Sequence, residues 1–493
     1  MINMDRAHLT PKVTSDSSPR ASNDPSTAYD GKPEHPTKDS TDSIDRPTGD
    51  NEHNSVGKET DVPEDIERER EAKSGNGLEP VKIVRSVRDV NHVASIPNGG
   101  LAAWLQVLGA FVLFFNSWGI INTFGSYQAY YETDLLPSSN PSSISWIGSI
   151  QAFLLLIVGM ISGPIYDAGY FRTLLLGGSL LIVLGQMMLS LCHAYWQVLL
   201  AQAFCIGIGC GMLFVPSVAI LNTYFTTRIG MVVGIAASGS SLGGVIYPVT
   251  FHKLIPQIGF GWTTRVIGFM ILGTQLIPAI FMRVRVLPAN KRSLFDLRAF
   301  LIPSYSLQII GFFIGFMGLY MPFFYSQVYA LSDNITNPDL AFYLLAIMNS
   351  SSIFGRIIPN FLADKLGGFN VVIPCTLMSG ILCFCFIKAR SVAGLVVLMA
   401  VYGFFSGSFV SLPPKIIVEL SLDAREKIGT RLGQSFGCVA FGLLIGTPIG
   451  GAILDRSGFD YVWVFGGCLL LASAAILTVA RGLLRGWGIL VKA

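Results

Sequence analysis

From Leu101 onward the chain is a succession of apolar segments, each long enough to cross the roughly 30 Å hydrocarbon core of a bilayer. We read twelve. They begin near Leu101, Ile144, Thr173, Gln197, Gly230 and Thr263, then near Phe300, Leu340, Phe369, Val392, Gly429 and Tyr461. A backbone within hydrocarbon must satisfy its own hydrogen bonds, so such segments fold as helices. The expected class is an all-α membrane protein of twelve transmembrane helices in two six-helix bundles.

The charges agree. Residues 1–99 carry 13 Lys and Arg against 19 Asp and Glu, whereas the 394 residues beyond them carry 21 against 12. The first stretch is rich in Ser, Thr, Asp, Pro and Asn and cannot bury enough apolar surface to offset its ordering entropy, so a disordered tail is expected. The expected divisions are a tail at 1–98, a first bundle at 99–282, a central loop at 283–299 and a second bundle at 300–493. This composition excludes a soluble enzyme, a nucleic-acid binder and a secreted disulfide scaffold. The eight Cys lie in or beside apolar segments without a C-x-x-C pair, and only His193 and His252 fall in the body, so neither disulfides nor a metal or other cofactor are expected. The chain has no P-loop motif and no apolar region near its start to serve as a cleaved signal peptide.

Loop charge sets the expected orientation. With the tail inside, the inner loops and C-terminus hold fifteen Lys and Arg, among them Arg172, Arg283, Lys291, Arg292, Lys365, Arg425 and Lys492, while the outer loops hold five. Both termini are therefore expected in the cytosol, in the plasma membrane or, alternatively, a vacuolar or other internal membrane. Asn334, in an Asn-Ile-Thr tripeptide, then falls outside as a glycosylation acceptor.

The halves echo each other. "GPIYDAGYFR" follows the second helix and "PNFLADKLGG" ends the eighth, with Asp167 and Asp364 197 residues apart; Pro248 and Pro448 are 200 apart. Parallel six-helix repeats give such an offset.

Polar groups at membrane depth are expensive and mark pathways or partners. Asn349, Ser352, Arg356 and Asn360 share one face of the eighth helix. Arg356 either offers a planar cationic fork to a carboxylate substrate, or snorkels, or pairs with Asp364 two turns on. In the first helix Asn116, Gly119, Thr123, Ser126 and Tyr130 form a stripe with Asn122 beside it, read equally as pathway lining or interhelical packing. Tyr320 is a candidate to face substrate; Tyr402 reads either as a cap on an aromatic substrate or as a packing aromatic. Pro413 and Pro414 break the tenth helix as a hinge or as a simple terminus. The glycines of the fifth helix, Gly239 and Gly243 among them, allow close helix approach. Asp167, Arg172 and Asp364 sit at inner helix ends, where gating contacts form. No Asp or Glu lies at the centre of a span, so the sequence offers no plain proton-relay site, although protons stay a candidate coupling ion.

Several stretches resemble the major facilitator superfamily, and within it the monocarboxylate transporter family in its fungal form. They are "NGGLAAWLQVLGAF" leading into the first helix, "YFTTRIGMVVGIAASGSSLGG" from Tyr224 to Gly244, "GRIIPNFLAD" and "SGSFVSLPP". The resemblance implies alternating access and organic-anion substrates. It matches Arg356 to the family's carboxylate-binding Arg. Ser352 stands where the family has an Asp, Asn122 where it has a Lys, and Asn98 where it has an acidic residue. Two departures, Ser352 and Asn122, remove the residues of lactate-type proton symport. The expected function is a secondary or facilitative transporter of a small organic acid or related metabolite. The alternatives are efflux of a fungal secondary metabolite and a non-transporting nutrient receptor.

Overall fold

A computed structural model describes residues 96–285, 294–424 and 427–488. The expected tail disorder, and the positions Lys291, Arg292, Arg425 and Lys492 used for orientation, lie outside the described residues.

Eleven long apolar helices are present among the described residues: Leu101–Leu135, Pro141–Asp167, Phe171–Leu189, Tyr195–Asn222, Ile229–Phe281, Pro303–Ser332, Pro338–Leu366, Gly368–Lys388, Val392–Glu419, Ile428–Ser457 and Phe459–Arg485. The fifth runs 53 residues, yet Gly259 within it has φ 71° and ψ 171°, a conformation essentially confined to glycine. The chain turns back there. Tyr247 Oη donates to Asn116 Oδ1 at 2.5 Å, and Thr274 Oγ1 accepts from Asn116 Nδ2 at 2.9 Å. Residues 27 apart in one straight helix would be separated by about 40 Å and could not both reach one side chain. The 53-residue run is therefore two crossings, 229–258 and 260–281, and the total is twelve. We number the spans α1 to α12 in chain order, with these two as α5 and α6. Their starts fall within three residues of those read from the sequence.

An even number of crossings places the start of α1 and the end of α12 on one face, here called the terminal face. Interruptions in the helices follow the repeat. α1 loosens at Thr123, whose hydroxyl donates back to Gly119 O at 2.8 Å, and α7 loosens at Tyr320, 197 residues on and just before Pro322. α4 carries Pro216 inside and α10 breaks at Leu412 before Pro413 and Pro414. The missing proline N–H groups leave those turns open.

Two seams join the first six spans to the last six: α2 packs along α11, and α5 along α8. Exchanging each helix for its counterpart six places away in the other half, α2 for α8 and α11 for α5, turns one pair into the other, as a two-fold relation between halves requires. Ser149 Oγ meets Thr447 Oγ1 at 2.5 Å in the α2–α11 seam, and Met160 rests on Gly433 and Gly437 nearer the terminal face.

Candidate functional site

The α5–α8 seam carries the polar chemistry. At the terminal face, both oxygens of Asp364 accept backbone N–H groups from the first turn of α5, Gly230 at 3.0 Å and Met231 at 2.9 Å. A carboxylate is well placed at a helix N-terminus, where free N–H groups and the helix dipole converge. Lys415 of α10 lies 3.1 Å from Asp364 and 3.4 Å from Glu419, and Glu419 accepts from Gly368 N at 3.0 Å. Asp364 is thus tied to α5 and α10, and the expected alternative that it pairs with Arg356 is overturned. At the opposite face His252 of α5 stacks on Phe342 of α8 with ring centres 4.1 Å apart, and its Nε2 lies 3.2 Å from Asp339 Oδ1. The seam is closed at both ends.

Between these ends lies Arg356, only 2% exposed. Its Nη1 donates to Ser240 Oγ at 2.7 Å and to the Ala237 carbonyl at 3.3 Å, both on α5, and its Nε reaches Ser352 Oγ at 3.3 Å. No carboxylate among the described residues forms an ion pair with it. It therefore does not snorkel. A guanidinium held dry by neutral groups alone is costly, and sets up a strong preference for an anion beside it.

Ser240 is the hub. Its hydroxyl takes the Arg356 bond, and its carbonyl accepts from Asn122 Nδ2 at 3.4 Å, so α1, α5 and α8 meet at one residue. Asn349 donates to Leu345 O at 3.0 Å in its own helix. The Oδ1 atoms of Asn122 and Asn349 are both buried and have no hydrogen-bond partner among the described residues. Asn360 donates to Ser411 Oγ of α10 at 2.6 Å, bracing the helix just before its break. Pro413 begins the short helical stretch beyond that break.

A narrow apolar cavity lies beside this cluster, between the halves. Phe114 and Trp118 of α1, Phe214 of α4, Phe316 of α7 and Phe436 of α11 form its aromatic walls, and Ala237, Val410, Ser411 and Pro414 complete them. Phe214 packs edge-on against Phe436 across the halves at 5.2 Å. Arg356 reaches the cavity wall through the Ala237 carbonyl.

The remaining sequence candidates divide. Tyr320 is buried within electrostatic reach of Arg356 and packs against Phe323. Tyr402 is fully buried, and its hydroxyl donates to Leu319 O at 2.7 Å, tying α10 to α7. Asn116 is bound on both sides by α5 and α6, so it joins helices within the first half. Gly239 abuts the Phe111 carbonyl, and Gly243 sits on Gly119 and Phe115, which lets α1 and α5 touch backbone to backbone. Asp167 is buried at the end of α2; Arg172 donates to Ala279 O at 2.6 Å, joining α3 to α6. Asn334 is exposed in the turn after α7 with φ 52°. Ser240, Lys415 and the aromatic walls were not singled out in the sequence; the Gly-Ser run of α5 was the available signal for Ser240.

The Major Facilitator Superfamily family model matches residues 106–387. The chain belongs to this superfamily of membrane transporters. It is 50% identical over 386 residues to the MFS-type transporter dbaD of Emericella nidulans, covering 78% of this chain and 87% of that one. It is 36% identical over 387 residues to the aspyridones efflux protein apdF of the same organism, covering 78% and 79%. The agnestins efflux protein AgnL12 of Paecilomyces divaricatus is 36% identical over 392 residues, covering 79% and 90%. Among solved structures, the human organic anion transporter MFSD10 (TETRAN) superposes with a TM-score of 0.58 at 13% identity, over 76% of this chain and 98% of that one, which shows a common fold. A multi-pass integral membrane transporter, and not an enzyme, is thereby established. The names of these fungal relatives speak of efflux and MFS-type transport, so the narrower monocarboxylate likeness rests on the motif residues alone.

Proposed function

We propose that the chain exports a small aromatic secondary metabolite bearing an acidic group, by alternating access between its two halves. This replaces transport of a small monocarboxylate-like organic acid, with no direction assigned, as the preferred reading. The observation that carries it is the Arg356 guanidinium, buried with no ion pair among the described residues and bonded to the Ala237 carbonyl in the wall of an aromatic cavity shared by both halves. An anionic group satisfies the arginine, and rings fill the apolar walls. Relatives named as efflux proteins support the direction of transport. The loop-charge bias supports cytosolic termini, which makes the terminal face the loading side for export.

The test is a comparison of cells lacking the gene with their parent, measuring metabolites inside and in the medium. Export predicts accumulation inside and loss outside of an aromatic acid, and restoration by the wild-type chain but not by Arg356→Ala expressed at the same surface level. Full restoration by Arg356→Ala refutes the anion-binding assignment. Unchanged metabolite profiles refute efflux.

A further inference from the structure

We propose that Asn122 and Asn349 form a hydrogen-bond-accepting subsite on the α5–α8 seam that receives hydroxyl groups of the cargo, so that the transported class is hydroxylated aromatic acids. The inference rests on the proposed function and narrows it. Both amides are held the same way round. Nδ2 of Asn349 donates to the Leu345 carbonyl and Nδ2 of Asn122 to the Ser240 carbonyl, at 3.0 and 3.4 Å. A flipped amide would turn oxygen against oxygen, so in each residue Oδ1 is the atom left over. Asn349 is 0% exposed and Asn122 4%, and neither Oδ1 has a partner. Buried acceptors are rarely left unpaired, because an oxygen taken out of water and given no donor is costly.

The two side chains flank the same glycine of α5. A Cβ at Gly244 would lie 2.7 Å from Asn349 Oδ1 and 3.0 Å from Asn122 Cβ. The Asn349 amide from α8 and the Asn122 side chain from α1, members of different halves, therefore lie against the bare backbone of α5. When the halves part, that surface opens to whatever lies between them. Only a donor, a hydroxyl or an N–H, repairs the two oxygens when the seam closes again. The Asn122 amide is joined through Ser240 to the Arg356 guanidinium, so the acceptors and the cation belong to one site. Along α8, Asn349 and Arg356 are seven residues apart, about 10 Å. A two-ring aromatic with a carboxylate at one end and a hydroxyl at the other has the matching length.

The experiment is titration calorimetry of the purified full chain with 2-naphthoate and 6-hydroxy-2-naphthoate. We expect the hydroxylated acid to bind about tenfold more tightly, the scale of a net hydrogen bond in a dry site. The ratio of the two dissociation constants falls to near one in Asn349→Leu and in Asn122→Leu, which keep the volume and remove the acceptor. If a leucine variant does not fold, Asn349→Ala reads the same ratio. Equal affinity of the two acids for the wild-type chain overturns the subsite and leaves the aromatic-acid reading standing. So does a tenfold ratio preserved in the variants. Failure of both acids to bind the wild-type chain overturns the subsite and the aromatic-acid reading together.

Discussion

Replacing Asp364 by Asn tests whether the terminal face is held shut by a charge. In the structure each Asp364 oxygen accepts one N–H of the α5 N-terminus, and Lys415 lies 3.1 Å from Oδ1. Both carboxyl and ammonium groups are largely buried, with side chains 12% exposed, so solvent screening is weak. Hydrogen bonds to a charged acceptor contribute about 1.5–3 kcal/mol each. Asparagine keeps one acceptor and turns its NH₂ toward the second N–H, so one bond is lost outright and the other becomes neutral. The expected loss is about 2–3 kcal/mol, a shift of roughly 30- to 150-fold in the closed-to-open equilibrium of this face. Asp364 belongs to the second half and α5 to the first, so the contact must break whenever that face opens. The assay is the alkylation rate of a cysteine placed at Val410, a cavity-lining residue of α10, in a chain whose native cysteines are replaced. A membrane-impermeant thiol reagent applied from the terminal face should react at least about 30-fold faster in Asp364→Asn. Rates equal within a factor of two refute the latch and make Asp364 a local helix cap.

Arg356→Met should raise the thermal unfolding midpoint while abolishing cargo flux, because an unpaired buried cation is exchanged for an apolar side chain of similar length; a lowered midpoint refutes the account of its burial. Gly259→Ala should cost about 1–3 kcal/mol, read as a lower midpoint, since φ 71° with ψ 171° excludes a Cβ. Asn98 Oδ1 accepts from both the N–H and the hydroxyl of Thr226 and of Thr227 before α5, all of them donors. Asn98→Asp should therefore stabilise the chain by about 1 kcal/mol, and an unchanged midpoint in thermal unfolding counts against the cap.

How much of this was legible in the sequence depends on the range of the contact. Span positions were, because an apolar run of twenty residues is a local property; even the α5–α6 corner was read as two spans, although a single glycine makes the turn. The α8 face was legible too, since Asn349, Ser352, Arg356 and Asn360 follow one helical period. What those residues touch was not. The partner of Asp364 is the α5 N-terminus, more than 130 residues away, and nothing near Asp364 distinguishes that contact from a pair with Arg356. The α1 stripe shows the same limit. Its period marks one face, but only the structure shows Gly119 against Gly243 and Asn116 bound to Tyr247 and Thr274, which makes that part of the stripe a packing surface.

The two seams are related by the repeat but differ in chemistry, and the difference bears on how the halves move. In the α2–α11 seam, Ser149 and Thr447 satisfy each other, and flexible Met160 fills the space over Gly433 and Gly437. Such a surface slides at little cost, because methionine repacks and few directional bonds are lost. The α5–α8 seam holds the Asp364 bonds, the Arg356–Ser240 bond, two unpaired amide oxygens and the His252–Asp339 contact. Under the proposed function its closure depends on cargo: the Arg356 bonds to Ser240 and Ala237 hold the seam together, the unpaired amide oxygens oppose closure, and a cargo donor removes that opposition. On that reading transport coupling resides in the α5–α8 seam, while the α2–α11 seam serves as the bearing. A ligand shifts such an equilibrium only by its differential affinity for the two states, and under the proposed function Arg356, Asn122 and Asn349 carry that differential.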